Sequence, residues 1–183
     1  MSQNHPKAGP NFAPAYQISG IPFVTSSAPG EVKGIDSNGA SPEPISVKFP
    51  HVTKYVTIRN TGVNELRVGF SARGMFAPGE RLPASLGGAA KPAITANDHK
   101  NYFLIPSQSA TKAQNPDTFG TIVTLDVRCK EIFFQSNGVG TDGTAGAVST
   151  DFSMLAGLTM IPSSNFPILT GSVLGTSSFE GIG

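Results

Sequence analysis

KYVTIRNTGVNELRVGFS, residues 54–71, alternates apolar and polar side chains on both sides of a polar break. Val56 and Ile58 alternate with Thr57 and Arg59, and Leu66, Val68 and Phe70 alternate with Arg67, Gly69 and Ser71. A side-chain period of two belongs to a strand with one buried and one wetted face. Between the runs stands Asn60-Thr61-Gly62-Val63-Asn64-Glu65, rich in turn-forming residues. The stretch therefore reads as a β-hairpin with one apolar face.

Outward from it, the same texture recurs. Candidate strands lie at Ile45–Phe49, Val52–Asn60, Glu65–Ala72, Tyr102–Pro106, Thr121–Cys129, Glu131–Gln135, Thr150–Leu155 and Leu158–Ile161. They are short, rich in Val, Ile, Thr and Phe, and separated by Gly, Pro, Asn and Ser. No long stretch free of Gly or Pro carries a helical apolar stripe, so the chain reads as an all-β sandwich or barrel. The expected interior is Val56, Ile58, Leu66, Val68, Phe70, Val123, Leu125 and Val127. Within 121–135 the phase slips, because Ile132 and Phe134 compete with Phe133 for the inside. A bulge or bend near Cys129–Lys130 would reconcile the two halves.

Residues 1–44 differ in composition. Pro6, Pro10, Pro14, Pro22, Pro29, Pro42 and Pro44 remove backbone donors, leaving only short pieces such as 16–18 and 21–24 able to pair. Phe12, Tyr16, Ile18, Ile21, Phe23 and Val24 are too apolar for a solvated tail. The sequence thus divides into an N-terminal arm (1–44) that orders against another surface, a β core (45–161) and a C-terminal arm (162–183). Two long Gly-rich loops, 75–100 and 137–147, interrupt the core.

The 183 residues suffice for one core. Thirteen Lys and Arg against twelve Asp and Glu give a net charge of +1, which argues against a nucleic-acid binder. Charged residues make up only 14%, which suits a surface packed against others. One cysteine excludes an internal disulfide and points to an intracellular setting. The first residues show no apolar signal segment, and no stretch approaches the ~20 apolar residues of a membrane span.

Candidate chemistry is sparse. His5, His51 and His99 have no His or Cys neighbour at metal-ligand spacing. Cys129 continues the inward alternation and reads as a buried thiol, not a nucleophile. Asp142 and Asp151 do not match a calcium loop, and 138–143 and 146–151 lack a phosphate-loop pattern. Asp126 and Glu131 are the default carboxylate pair for glycoside hydrolysis. Sugar stacking has little to work with, since Trp is absent and only Tyr16, Tyr55 and Tyr102 are present. Arg59, Arg67, Arg73 and Arg128 fall in the polar phase and read as solvated or interface-facing. No residue is assigned a catalytic, cofactor-binding or metal-binding role.

FPHVTKYVTIRNTGVNELRVGFSARGM (49–75), NYFLIPSQSAT (101–111) and TLDVRCKEIFFQS (124–136) together resemble the single jelly-roll penton and related minor capsid proteins of large icosahedral double-stranded DNA viruses. The resemblance covers roughly 49–136 and carries no catalytic residues. It implies a single jelly-roll β-sandwich with extended arms and no enzymatic activity. It also implies a homopentamer at the capsid vertex of the virion, assembled in the host cell and bordered by major and minor capsid proteins. Neither nucleic acid nor a direct membrane span is expected. The alternative is a carbohydrate- or receptor-binding β-sandwich.

Overall fold

The computed structural model describes residues 21–36, 41–77, 79–88, 101–107, 122–140, 148–165, 170–171 and 177–178. Its strands are β1 (Ile21–Ser26), β2 (Val32–Lys33), β3 (Ile35–Asp36), β4 (Ile45–Lys48), β5 (His51–Asn60), β6 (Leu66–Gly69), β7 (Tyr102–Ile105), β8 (Ile122–Leu125), β9 (Glu131–Ser136), β10 (Val139–Gly140), β11 (Ser149–Thr150) and β12 (Phe152–Pro162). Two further two-residue strands, β13 (Thr170–Gly171) and β14 (Ser177–Ser178), pair with each other.

Eight of these strands build two antiparallel sheets. Sheet one runs β1-β12-β5-β8 and sheet two runs β4-β9-β6-β7. Their inner faces close on one apolar core, so the chain is an all-β sandwich. Val56, Ile58, Met154, Ala156 and Leu158 from sheet one meet Leu66, Val68, Ile105, Ile132 and Phe134 from sheet two. Of the expected interior, Val56, Ile58, Leu66 and Val68 are fully buried, while Phe70, Val123, Leu125 and Val127 are half-buried against the same core. Phe134 of sheet two stacks on Phe152 of sheet one, with ring centroids 4.0 Å apart.

The opening stretch is not a hairpin. β5 pairs with β12 and β8, and β6 pairs with β7 and β9, so the two runs belong to opposite sheets. Alternation cannot separate these cases, because a strand facing its successor across a core hides the same side chains as one lying beside it. The polar break makes the difference. Asn60 is fully buried, and its Nδ2 donates to the carbonyls of Asn64 (2.8 Å), Ile105 (3.2 Å) and Pro106 (3.1 Å). Its Oδ1 accepts from Gly62 N–H (3.0 Å) and from Thr150 Oγ1 (3.0 Å). One amide thus ties the end of β5 to the end of β7 in the other sheet. A Cβ at position 62 would run into Thr150 Oγ1 and the Asp151 nitrogen, so only glycine fits this corner.

The phase slip in 121–135 has the same origin. β8 belongs to sheet one and β9 to sheet two, and the bend at Lys130 is where the chain crosses. Phe133 needs no outside position, since it packs beneath sheet two with Ile35, Met75, Phe76 and Leu82 in a second, smaller core. The expected strands 150–155 and 158–161 fall mostly on one strand, β12, with a register shift between Gly157 and Leu158, while Thr150 belongs to β11.

Ile21–Ser26, inside the stretch expected as an arm, is the edge strand of sheet one, so the described sandwich starts before residue 45. Pro22 is tolerated there. Ser27 N–H donates to the Phe152 carbonyl, so by alternation the odd residues face β12 and position 22, which has no N–H, faces the open edge. Phe23 turns inward and meets Phe49 edge-on at 5.3 Å. Residues 1–20, most of the proposed arm, lie outside the described residues.

Candidate functional site

The two outer faces of the sandwich are built differently. Sheet two is roofed by its own chain. The segment 73–88, with short 3-10 turns at Arg73–Met75 and Ala84–Leu86, lies over Phe133 and encloses Arg67. Arg67 points away from the main core, as its phase dictates, yet its side chain is only 3% exposed. Its guanidinium holds Glu80 through two contacts of 2.7 Å, Asn137 Oδ1 at 2.8 Å and the Met75 carbonyl at 3.0 Å. It also lies 4.5 Å from the centre of the Tyr102 ring. Burial pushes the Tyr102 phenol above its ordinary pKa, against the opposing pull of the Arg67 charge. Glu80 Oε2 additionally accepts from the Ala77 N–H at 2.6 Å, which turns the roof onto the ion pair. The expectation that Arg67 is solvated or interface-facing is therefore corrected: it is the internal fastening of the 73–88 segment. Arg59 and Arg128 are exposed, and Arg73 donates to the Leu86 carbonyl at 2.6 Å.

Sheet one has no such roof among the described residues. Behind the core residues of β1, β12, β5 and β8, the alternate side chains form rows set by the register. Val24, Leu155, Thr57 and Thr124 make one row, and Ser26, Ser153, Arg59 and Ile122 the next. Thr57 and Thr124 share a hydroxyl hydrogen bond of 3.0 Å across β5 and β8. Val24 is 73% exposed, Leu155 40% and Ile122 44%.

Among the described residues, those weighed for chemistry do not converge. Cys129 is fully buried, and its backbone N–H donates to Thr53 Oγ1 at 3.0 Å while the thiol lies 3.4 Å from the same oxygen. Burial pushes the thiol up to about 11, only partly offset by the Thr53 hydrogen bond. At pH 8 its thiolate fraction is about 100-fold below that of an ordinary thiol, so alkylation by iodoacetamide should be at least that much slower in the native protein than in urea. Native reactivity equal to the unfolded rate would contradict this burial. Because the folded pKa is raised, this group's contribution to stability is intact below pH ~9 and declines as pH rises toward 11. Cys129→Ser should leave the sandwich assembled at a modest cost in stability.

His51 begins β5, half-buried, and pairs with Pro162. The Asp151 carboxylate holds the turn after β1, accepting from the Gly30 N–H at 2.8 Å and Ser27 Oγ at 3.5 Å. Glu131 lies 3.8 Å from Lys48, and Asp126 is exposed beyond β8. His5, His99 and Asp142 lie outside the described residues. Among the described residues, no three of His, Cys, Asp and Glu come together as a metal site, and no helix is long and apolar enough to cross a membrane. Sequence reasoning missed the Arg67–Glu80 pair. The available signal was an arginine between two core positions, Leu66 and Val68; Glu80 has none, being set in a Gly- and Pro-rich loop. No family model, curated protein or solved structure matches this chain.

Proposed function

We propose that this chain is a structural virion protein, a single jelly roll standing in five copies around the vertex of an icosahedral capsid. The observation that carries the reading is strand order. Counted along the chain, the eight sandwich strands run 1-8-3-6 in sheet one and 2-7-4-5 in sheet two. Only β6 and β7 are both consecutive and adjacent; every other connection passes between sheets. That order supports the reading of a jelly roll, an architecture used by viral capsids and by lectins. The resemblance of 49–136 to capsid penton proteins favours the first. So does the low charge of the chain. The work of such a subunit is shape and contact, with major and minor capsid proteins as further neighbours, and it performs no catalysis.

The test is an image of the assembled particle. Density for this chain is expected as five copies about each five-fold axis. Density only at three-fold or two-fold positions rejects the vertex role. Specific binding of the isolated chain on a glycan array, without incorporation into particles, favours a sugar-binding sandwich instead.

A further inference from the structure

Seven large apolar side chains are well exposed among the described residues, and five of them belong to sheet one. Val24, Leu155 and Ile122 stand on its outer face, Ile21 at its rim and Met160 near the end of β12. The remaining two, Val63 and Leu104, lie at the Asn60 corner and on β7. A concentration of this kind on a flat face marks a contact surface more than chance does. From the vertex reading, on which this inference rests, we infer that the outer face of sheet one seats against the roof segment 73–88 and Leu104 of the neighbouring copy of the chain.

Two observations select a second copy. First, the face is nearly uncharged. In the two central rows Arg59 is the sole charged residue among Ser, Thr, Val, Leu and Ile, which offers no purchase for a polyanion or for a strongly charged partner. Secondly, the opposite flank has the same chemistry. Ala84, Ser85 and Leu104 are exposed there, with Leu86 half-buried and Arg81 the exposed cation. Two charge-poor surfaces bring few charges into a contact, and Arg59 and Arg81, one cation on each, must stay at its wet rim.

The direction of the contact follows from closure. Two sheet-one faces meeting each other form a two-fold pair and consume the surface in a dimer. A five-fold ring requires that one flank meet the other, different flank of the next copy. The roof is suited to that part because the Arg67–Glu80 pair holds it rigid before any neighbour arrives.

The experiment uses particles assembled with the full-length chain. Hydroxyl-radical labelling of Leu155 and Met160 should fall at least ten-fold from the free subunit to the particle, while Val63 stays labelled. Leu155→Lys should lower vertex occupancy at least ten-fold with an unchanged melting temperature, and Val63→Lys should leave occupancy as it was. If Leu155→Lys fails to fold, Thr124→Arg, at an exposed hydroxyl of the same row, serves in its place. Vertices with five copies but with this face labelled as in the free subunit overturn the inference and spare the vertex reading. A different protein seated on the face does the same. Copies found away from the five-fold axes overturn the vertex reading itself.

Discussion

Phe134→Ala is expected to cost about 3–5 kcal/mol of unfolding free energy. Phe134 sits on β9, inside sheet two, and is fully buried. Its partner Phe152 opens β12, inside sheet one, and is 2% exposed. The rings stack at 4.0 Å with their planes 17° apart, so this pair clasps the two sheets directly. Removing one ring forfeits its burial, leaves a void bounded by both sheets, and loses the aromatic pair, worth a further ~0.5–1.5 kcal/mol on its own. Relaxation is restricted, because β9 and β12 each have neighbours on both sides. Urea unfolding should show a lower midpoint at an unchanged slope. Against a typical total of about 5–15 kcal/mol the loss is large. A loss below about 1 kcal/mol would mean that the sheets are held together elsewhere.

Arg67→Ala should be comparably costly, about 3–5 kcal/mol, by a different route. The arginine side chain is 3% exposed and Glu80 20%, so the deletion strands a carboxylate in a poorly solvated site. It also deprives Asn137 Oδ1 and the Met75 carbonyl of their donor. The damage should be local in space, since the roof loses its anchor while the main core is untouched. Amide hydrogen exchange should rise across Ala77–Leu86 and stay low in β5 and β12. The Arg67→Met, Glu80→Leu double variant should recover most of the stability, because it removes both charges together. If the double variant is as unstable as Arg67→Ala, the ion pair is not the fastening.

How far the sequence discloses this fold depends on which question is put to it. Alternation in 56–58, 66–70 and 123–127 identifies inward side chains, because a period of two is a property of the strand alone. It is silent on which strand lies beside which, and so residues 54–71 pass for a hairpin. The deciding group, Asn60, looks like any turn asparagine until Ile105, Pro106 and Thr150 arrive from far along the chain. The core of β1 was legible as a short piece, 21–24, able to pair, but its place in sheet one was not, because its partner β12 lies more than a hundred residues away. The roof was illegible for a related reason. Glu80 gains its role only from Arg67, thirteen residues away, and a loop without periodicity carries no sign of what it will cover. The contact face of sheet one was half visible: Thr57 and Thr124 show their outward phase, but the apolar row linking Val24 to Leu155 exists only through pairing in register.

The place of β12 in sheet one has a consequence for the birth of the protein. β1 has β12 as its sole neighbour in the sheet, and β12 spans residues 152–162. While the ribosome has yet to deliver that segment, the earliest described strand lacks its partner in the sheet and β5 shows an open flank. Loop closure between Ile21 and Leu158 must come before either contact rewards it. Sheet two, by contrast, is complete once β9 is made. The chain should therefore emerge with one sheet assembled and the other waiting, and that interval, slow in so non-local a topology, is when stray strands are most able to add to the wrong molecule.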